Sequence, residues 1–297
     1  MEKYSYCKYI NIMKSRGLSE AQCYKDSFIP QYLYKYSSFG ENDKLYENKM
    51  EQLAKEQIWA SKVKYLNDPF EFKVLFSKLD IGDEDMYNEI IDHNEVISLT
   101  NSCTNKLMWS HYAEKHCGYC LEFKTKEKYK IMPVVYRKHS IDITRDIKSW
   151  FSCIIEMENK SFSLTDQELY SYRIPSEKFG RLMYYKDSIW KYENEYRIIA
   201  SESEKEKDAA GSVHVMDEYG IHLSRVILGL NCESTHRKRI EDCVRRINND
   251  RFEEFQKKCS NYDFDKIKTL FIYRGENVKL AQIQSNKNLE LTAVDYN

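Results

Sequence analysis

An E-x-E-x-R cluster, Glu193, Glu195 and Arg197, stands in W-K-Y-E-N-E-Y-R-I-I, residues 190–199. The aromatic and β-branched content of residues 189–200 predicts a strand. Residues two apart on a strand share a face, so Glu193, Glu195 and Arg197 are expected to project together. One interpretation is a half-exposed, ion-paired face, which contributes little stability. The other is a catalytic carboxylate that Arg197 keeps ionised at the mouth of a pocket.

The stretch K-L-M-W-S-H-Y-A-E-K-H, residues 106–116, predicts a short helix with chemistry-bearing side chains. His111 is a candidate general base, although Ser110 beside it cannot complete a dyad because adjacent helix residues do not face one another. Trp109 and Tyr112 lie three apart and form an aromatic ridge that could stack a ligand ring. The alternative is that Trp109 belongs to the core and His111 satisfies a local hydrogen bond.

An early tyrosine-rich stretch, Q-Y-L-Y-K-Y-S-S-F at residues 31–39, predicts the first strand. Tyr34 and Tyr36 would share one face of that strand, and Lys35 would lie on the other. A cation beside aromatic rings could hold a pyrophosphate and stack a base. These three residues are therefore candidates for binding a dinucleotide.

The stretch L-N-D-P-F-E-F, residues 66–72, predicts a turn. Pro69 has no N–H, and the side chains of Asn67 and Asp68 can bond to the nearby backbone. The stretch is either a turn alone, or a site where Asn67 and Asp68 clamp hydroxyl groups such as those of ribose.

The composition excludes several classes of protein. Lys and Arg total 46 against 47 for Asp and Glu, so no global charge predicts a nucleic-acid partner. Only nine glycines occur, without either glycine-rich phosphate-loop motif. No apolar run approaches a membrane span, and no signal-peptide core opens the chain. We therefore expect a cytoplasmic protein without a membrane partner.

Nine cysteines, an odd number in a chain without an export signal, predict free thiols. Cys117 and Cys120 form the one close pair, and His111 and His116 lie upstream, so a zinc site is the alternative. Zinc usually takes a second pair at similar spacing, which the chain lacks. We expect no metal.

Periodicity predicts an irregular mixture of helices and strands. Helices are predicted over residues 1–30, 41–57, 83–93, 106–116 and 233–260, with further helical patterns in 140–188. Strands are predicted over residues 31–39, 58–63, 96–100, 118–123, 131–137, 189–200, 212–216, 225–230 and 268–274. This mixture is typical of an α+β fold with a mixed or antiparallel central sheet and flanking helices. We expect a helical extension (1–30), a core catalytic-type domain (31–230) and a C-terminal helix and strand (231–297) packed on the same domain.

Several of these stretches together resemble one family. Five stretches occur in this order: L-Y-K-Y-S-S-F, the segment ending N-D-P-F-E-F, the segment containing M-W-S-H-Y, W-K-Y-E-N-E-Y-R-I-I, and V-I-L-G-L. The combination resembles the bacterial family designated domain of unknown function 2971, over about residues 31–230. The N-D-P-F-E, M-W-S-H-Y and E-x-E-Y-R pieces are its most specific part.

A second resemblance is one of layout. An early polar or aromatic strand, a helix, a strand with a small hydroxyl residue and a late strand with a glutamate make the chain similar to NAD-dependent ADP-ribosyltransferases. The resemblance implies that Lys35 or its tyrosine neighbours grip NAD, and that Ser61 supplies the hydroxyl. It also implies that Glu195 is the catalytic glutamate, with Glu193 as the competitor. The first motif has neither Arg nor His here.

The layout implies an enzyme that transfers ADP-ribose from NAD to a macromolecule, either nucleic acid or protein. Such an enzyme could be a toxin or a phage-defence effector, restrained by an antitoxin or another regulatory partner. A fixed carboxylate would stabilise the cationic sugar that forms as the nicotinamide bond breaks, and no metal is required. The alternatives are an NAD glycohydrolase, a metal-dependent nuclease, and a non-catalytic module that binds nucleic acid or protein.

Overall fold

A computed structural model describes residues 3–68, 71, 88, 92–138, 144–159, 166–201, 207–259, 267–268, 271 and 276–296. The fold is α+β with a mixed, mostly antiparallel central sheet, which confirms the predicted class. Among these residues, no helix combines the length and the apolar character needed to cross a membrane.

The longer helices alternate irregularly with short strands. The helices are α1 (Tyr6–Arg16), α2 (Leu18–Asp26), α3 (Asp43–Ala54), α4 (Lys106–Tyr112), α5 (Thr144–Asn159), α6 (Asp166–Gly180) and α7 (Ser234–Lys258). The strands are β1 (Tyr32–Ser37), β2 (Gln57–Lys62), β3 (Asn94–Thr100), β4 (Tyr119–Thr125), β5 (Met132–Pro133), β6 (Val135–Arg137), β7 (Tyr185–Asp187), β8 (Glu195–Ser201), β9 (Lys207–Asp208), β10 (Gly211–Val215), β11 (Ile221–Leu228), β12 (Lys279–Ser285) and β13 (Leu291–Asp295).

The chain divides into two compact units whose segments interleave along the sequence. Unit 1 comprises residues 1–29, 60–98 and 128–212, and unit 2 comprises residues 30–59, 99–127 and 213–297. The predicted domain boundaries at residues 30 and 230 stay a prediction.

Unit 1 contains the N-terminal helices and the strands around β8. In this unit β3 lies between β2 and β8, and β5 pairs antiparallel with β8. The core beside α1 is rich in tyrosine and includes Tyr6, Tyr9 and Met13. Gly17 separates α1 from α2 with a φ of 95°, which a residue with a Cβ rarely adopts.

Unit 2 is built on a sheet in the order β13-β12-β11-β4-β1. The pairs β1–β4, β4–β11 and β12–β13 are antiparallel, and β11–β12 is parallel. Side chains from β1, β4 and β11, including Leu33, Phe123 and Leu223, are inaccessible to solvent. Helix α7 contributes Ile240 and Ile247 to the buried apolar residues.

The structure corrects three sequence predictions. The expected strand over 189–200 is a 3₁₀ segment, Ser188–Glu193, followed by β8. In the expected strand over 268–274, the described residues Lys268 and Phe271 are helical. Strands β12 and β13 were not predicted. The predicted helix over 83–93 lies mostly outside the described residues, as do Pro69 and Phe70 of the predicted turn.

Candidate functional site

Arg197 and Glu195 form a doubly hydrogen-bonded pair at the start of β8. Arg197 donates from Nε to Glu195 Oε1 at 2.7 Å and from Nη2 to Glu195 Oε2 at 2.9 Å. Both residues are buried, and Arg197 is 0% exposed. The alternating spacing correctly predicts their pairing, but the half-exposed strand face is wrong because the pair lies inside unit 1.

Lys186 is the second cation of this cluster. Its Nζ lies 2.6 Å from Glu193 Oε2, 3.1 Å from Glu195 Oε2 and 3.2 Å from Glu71 Oε1. The ammonium also lies 5.2 Å from the centre of the Trp190 ring, within cation–π range. Lys186 therefore pairs with both glutamates of the E-x-E motif.

Glu71 connects the predicted turn to the same cluster. Arg197 Nη2 donates to Glu71 Oε2 at 2.6 Å, so Arg197 is shared between Glu71 and Glu195. Asn67 joins from the other side of the turn, where its Oδ1 accepts from Lys186 at 3.4 Å. We call Asn67, Glu71, Lys186, Glu193, Glu195 and Arg197 the carboxylate network.

Local backbone geometry brings Glu193 and Glu195 together. Asp187 caps the 3₁₀ segment by accepting from the backbone N–H of Ile189 at 2.8 Å. Asn194 ends the segment in the left-handed region, with a φ of 44°, which Asn tolerates better than most residues. The strand therefore begins at Glu195, and Glu193 lies just before it rather than on it.

The backbone and side chain of Glu195 are held by two further neighbours. Its backbone N–H donates to the hydroxyl oxygen of Tyr136 at 2.7 Å. Ser98 on β3 hydrogen-bonds the Glu195 carboxylate. Because strands and hydrogen bonds fix it from several directions, Glu195 has a single, pre-organised position.

The carboxylate network shifts the pKa values of Glu195 and Glu71 in opposite directions. Burial alone would raise the pKa of Glu195, but Arg197 and Lys186 outweigh burial and lower that pKa to about 2. In Glu71, by contrast, burial outweighs the same two cations and the pKa is raised. Burial alone would lower the pKa of Lys186, but the carboxylates raise it. Environments that push two carboxyl pKa values apart are typical of acid–base sites.

The other predicted residues of unit 1 are also located. Asp68 is buried, and its backbone carbonyl accepts from the N–H of Glu71 at 3.1 Å, as in the predicted turn. Ser61 lies on β2 opposite Val96 of β3. The structure therefore brings Asn67 into the carboxylate network and places Ser61 in the pairing of β2 with β3.

The remaining predicted residues lie in unit 2. Trp109 is 0% exposed, and its Nε1 donates to the carbonyl of Cys103 at 2.7 Å. Its ring packs edge-on against Tyr36, at 5.0 Å between centroids, and the hydroxyl of Tyr36 donates to the carbonyl of Ser102. A buried ring offers no face to a ligand, so Trp109 is a core residue, as the alternative interpretation predicts, and Tyr36 is corrected from a ligand-binding residue to a core residue.

The last four predicted site residues in unit 2 are Tyr34, Lys35, His111 and Tyr112. Tyr34 and Lys35 occupy successive positions of β1, opposite Glu122 and Leu121 of β4. His111 is exposed near the end of α4, with the Tyr112 ring 6.3 Å away. Their proposed roles in NAD binding or as a general base stay predictions.

Sequence reasoning missed Lys186. Lys186 stands in Y-Y-K-D, seven residues before Glu193, and no motif spacing marks it. The available signal was charge: the motif has two carboxylates and one guanidinium, so a buried cluster requires a second cation. Within the described residues, no three His, Cys, Asp or Glu side chains are placed to hold a metal ion.

Comparison with known proteins gives one family. Residues 108–198 match the family described as protein of unknown function DUF2971, which confirms the resemblance. The matched segment contains both M-W-S-H-Y and E-x-E-Y-R, whereas N-D-P-F-E lies before it. The match covers less than half of the chain. No curated protein and no solved structure matches.

Proposed function

We propose that this protein is an NAD-dependent ADP-ribosyltransferase whose catalytic carboxylate is Glu195. The supporting observation is the separation of pKa values within the carboxylate network. The pKa of Glu195 is lowered to about 2, while the pKa of Glu71, which shares Arg197 with it, is raised. The Glu195 carboxylate is therefore ionised at neutral pH, and the pKa of its neighbour Glu71 is shifted upward.

These two states match the two needs of glycosyl transfer from NAD. Breaking the nicotinamide–ribose bond leaves its electron pair on the nicotinamide and develops positive charge on the ribose. A pre-organised carboxylate in a dry site stabilises that charge. Glu195 fits this role because Arg197 and Lys186 hold it ionised and fixed.

The acceptor nucleophile then forms a bond to the ribose carbon and loses a proton. A general base works best when its pKa lies near the working pH. The pKa of Glu71 is raised, which brings it closer to the working pH. We therefore assign Glu71 the role of the general base that takes the proton from the acceptor nucleophile. The proposed acceptor is a nucleic acid or a protein, and the proposed setting is a toxin or defence effector with a restraining partner. With water as the acceptor, the same site would act as an NAD glycohydrolase.

The test is transfer of label from NAD carrying a labelled adenosine. The full chain is incubated with this NAD and a cell lysate, and the macromolecular fraction is treated separately with protease and nuclease. We expect label that one of the two treatments releases. Free ADP-ribose without labelled macromolecule would indicate the glycohydrolase, and no consumption of NAD in any lysate would refute both.

A metal-dependent nuclease is the second candidate, and Lys186 favours it. Its ammonium beside Glu193 and Glu195 supplies the lysine that the E-x-E-x-R spacing lacks. NAD chemistry stands first because the pKa values of Glu195 and Glu71 are shifted in opposite directions, which fits the two carboxylate roles of glycosyl transfer. Cleavage of DNA or RNA that requires Mg²⁺ and Lys186 would reverse this order.

A further inference from the structure

We propose that unit 2 carries a second polar site, which binds a phosphorylated sugar. The site is a row of four side chains on adjacent strands. Tyr34 on β1 lies opposite Glu122 on β4, Glu122 lies opposite Arg225 on β11, and Arg225 lies opposite Lys279 on β12. Residues directly opposite each other share a face of the sheet. A phenol, a carboxylate, a guanidinium and an ammonium therefore follow one another across it.

A β-bulge concentrates donors on Glu122. The pairing register of β11 with β4 shifts between Leu223 and Arg225, which leaves Ser224 as the extra residue. In a regular strand successive side chains point to opposite faces, whereas a bulge re-aims one of them. Ser224 Oγ donates to Glu122 Oε1 at 2.8 Å, and Arg225 Nε lies 3.5 Å from the same oxygen. Bulges are frequent beside functional sites.

One end of the row has the chemistry to bind sugar hydroxyls. Tyr34 hydrogen-bonds the Glu122 carboxylate, and burial raises the pKa of Tyr34, so its phenol stays protonated. Glu122 is 6% exposed, and only part of each partner is covered. A carboxylate flanked by the hydroxyls of Tyr34 and Ser224 can accept from one sugar hydroxyl while a phenol or serine oxygen accepts from another.

The other end has unused capacity for an anion. Within the described residues the buried Nε of Arg225 has no hydrogen-bond partner; it lies at ion-pair distance from Asp295 Oδ1, 3.4 Å, and from Glu122 Oε1, 3.5 Å. Lys279 also pairs with Asp295, at 3.5 Å, and its side chain is 58% exposed. An arginine whose role was only to brace the sheet would donate its planar fork to these carboxylates, as Arg197 does to Glu195.

Charge and distance both fit a sugar phosphate. At one end of the row two cations, Arg225 and Lys279, stand beside a single carboxylate, Asp295, and the other end has the carboxylate of Glu122, so the net positive charge lies at the first end. Neighbouring strands lie about 4.8 Å apart, so Glu122 and Lys279 are about 10 Å apart across the sheet. A phosphorylated pentose has this length, with hydroxyls at one end and a phosphate at the other.

The experiment is calorimetric titration of the full chain with ribose 5-phosphate, ribose and inorganic phosphate. We expect ribose 5-phosphate to bind at least tenfold more tightly than either fragment. Arg225→Met and Glu122→Gln should each weaken binding at least tenfold. Tyr34→Phe should weaken it about threefold or more, while Tyr32→Phe, the matched change on the same strand, should leave it unchanged.

Two results would overturn this proposal. The first is ribose 5-phosphate binding no tighter than phosphate, and the second is unchanged binding in the variants. If Glu122→Gln or Arg225→Met fails to fold, Lys279→Met decides, because its exposed side chain can be removed without unfolding and should weaken binding about tenfold. Glu195→Gln should bind ribose 5-phosphate as the wild type does, so this test and that of NAD cleavage fail independently.

Discussion

Arg197 and Glu195 are joined by two hydrogen bonds, of 2.7 and 2.9 Å, in the interior of unit 1. Burying a guanidinium destabilises the fold unless neighbouring carboxylates and hydrogen-bond acceptors compensate its charge. Glu71 and the backbone carbonyl of Met183 take further donors of Arg197, at 2.6 and 2.8 Å. The pair is therefore the centre of a buried network of opposite charges rather than a surface ion pair.

Removing Arg197 should be strongly destabilising. Arg197→Met leaves Glu71 and Glu195 buried without their shared cation, and breaking a buried pair costs about 3–5 kcal/mol. Urea denaturation monitored by circular dichroism measures the change. The control is Arg239→Met, which breaks the exposed pair with Glu47 at 2.7 Å and should cost less than about 1 kcal/mol. Equal losses of unfolding free energy in the two variants would show that the buried network stabilises the protein no more than an exposed ion pair does.

The network should also set the stability of the protein in acid. The pKa of Glu195 is lowered in the folded protein, so its contribution is full above the unfolded pKa, near 4.5. That contribution is lost as the pH falls from there toward about 2. Glu195→Gln should therefore have a flatter pH dependence of the free energy of unfolding between pH 5 and 3 than the wild type. Parallel curves for the two proteins would contradict the assignment.

Removing the buried charge of Lys25 should also destabilise the protein. Its side chain is 0% exposed, and its ammonium donates to the carbonyls of Lys128, Tyr129 and Ile131 at 2.8 to 2.9 Å. Lys25→Met leaves these acceptors without a donor, at a cost of about 2–4 kcal/mol. Burial lowers the pKa of Lys25 to about 8, so its charge responds to mildly alkaline pH.

The matched control for Lys25 is Lys14→Met on α1, where the lysine is exposed. This change should alter the free energy of unfolding by less than about 0.5 kcal/mol. Thermal unfolding of both variants at pH 7 gives the comparison. A stability of Lys25→Met equal to that of Lys14→Met would mean that the three carbonyls do not need the ammonium.

Gly118 should be intolerant of any side chain. A Cβ there would lie 2.2 Å from the carbonyl oxygen of Ser37, a backbone atom that cannot rotate away. Gly118→Ala should cost about 1–3 kcal/mol or more through overpacking. Gly180→Ala is the control because open space surrounds that position. Denaturant midpoints of the two variants check the difference, and equal midpoints would count against the close approach.

The sequence predicts the elements of this fold better than it predicts the environment of the site. Strand β1 and helices α3 and α4 were predicted because alternation and helical periodicity are local signals. Strands β12 and β13 were missed because their polar and apolar residues alternate only weakly, and β13, at the edge of the sheet, is largely exposed. The 3₁₀ segment before Glu195 was missed because a left-handed Asn194 looks like any other strand residue in sequence.

Burial is the property that spacing could not show. E-x-E-x-R predicts that Glu195 and Arg197 meet, yet an exposed and a buried pair have the same spacing. Lys186 and Glu71 reach the pair through tertiary contacts, which leave no periodic signal. The sequence leaves both ligand stacking and the core open for Trp109 for the same reason, since an aromatic residue on a short helix can face either solvent or core.

The most direct test of the central claim is the rate of nicotinamide release from NAD in the presence of lysate, for wild type, Glu195→Gln and Glu193→Gln. The first variant keeps the shape of the side chain and leaves two carboxylates, Glu71 and Glu193, for the two cations of the network. We predict that Glu195→Gln lowers the rate about 100-fold or more, as expected for loss of a charge-stabilising group. Glu193→Gln should lower it less than about tenfold, because Glu195 carries the paired bonds from Arg197. Equal rates for wild type and Glu195→Gln, or no nicotinamide from the wild type, would contradict the account.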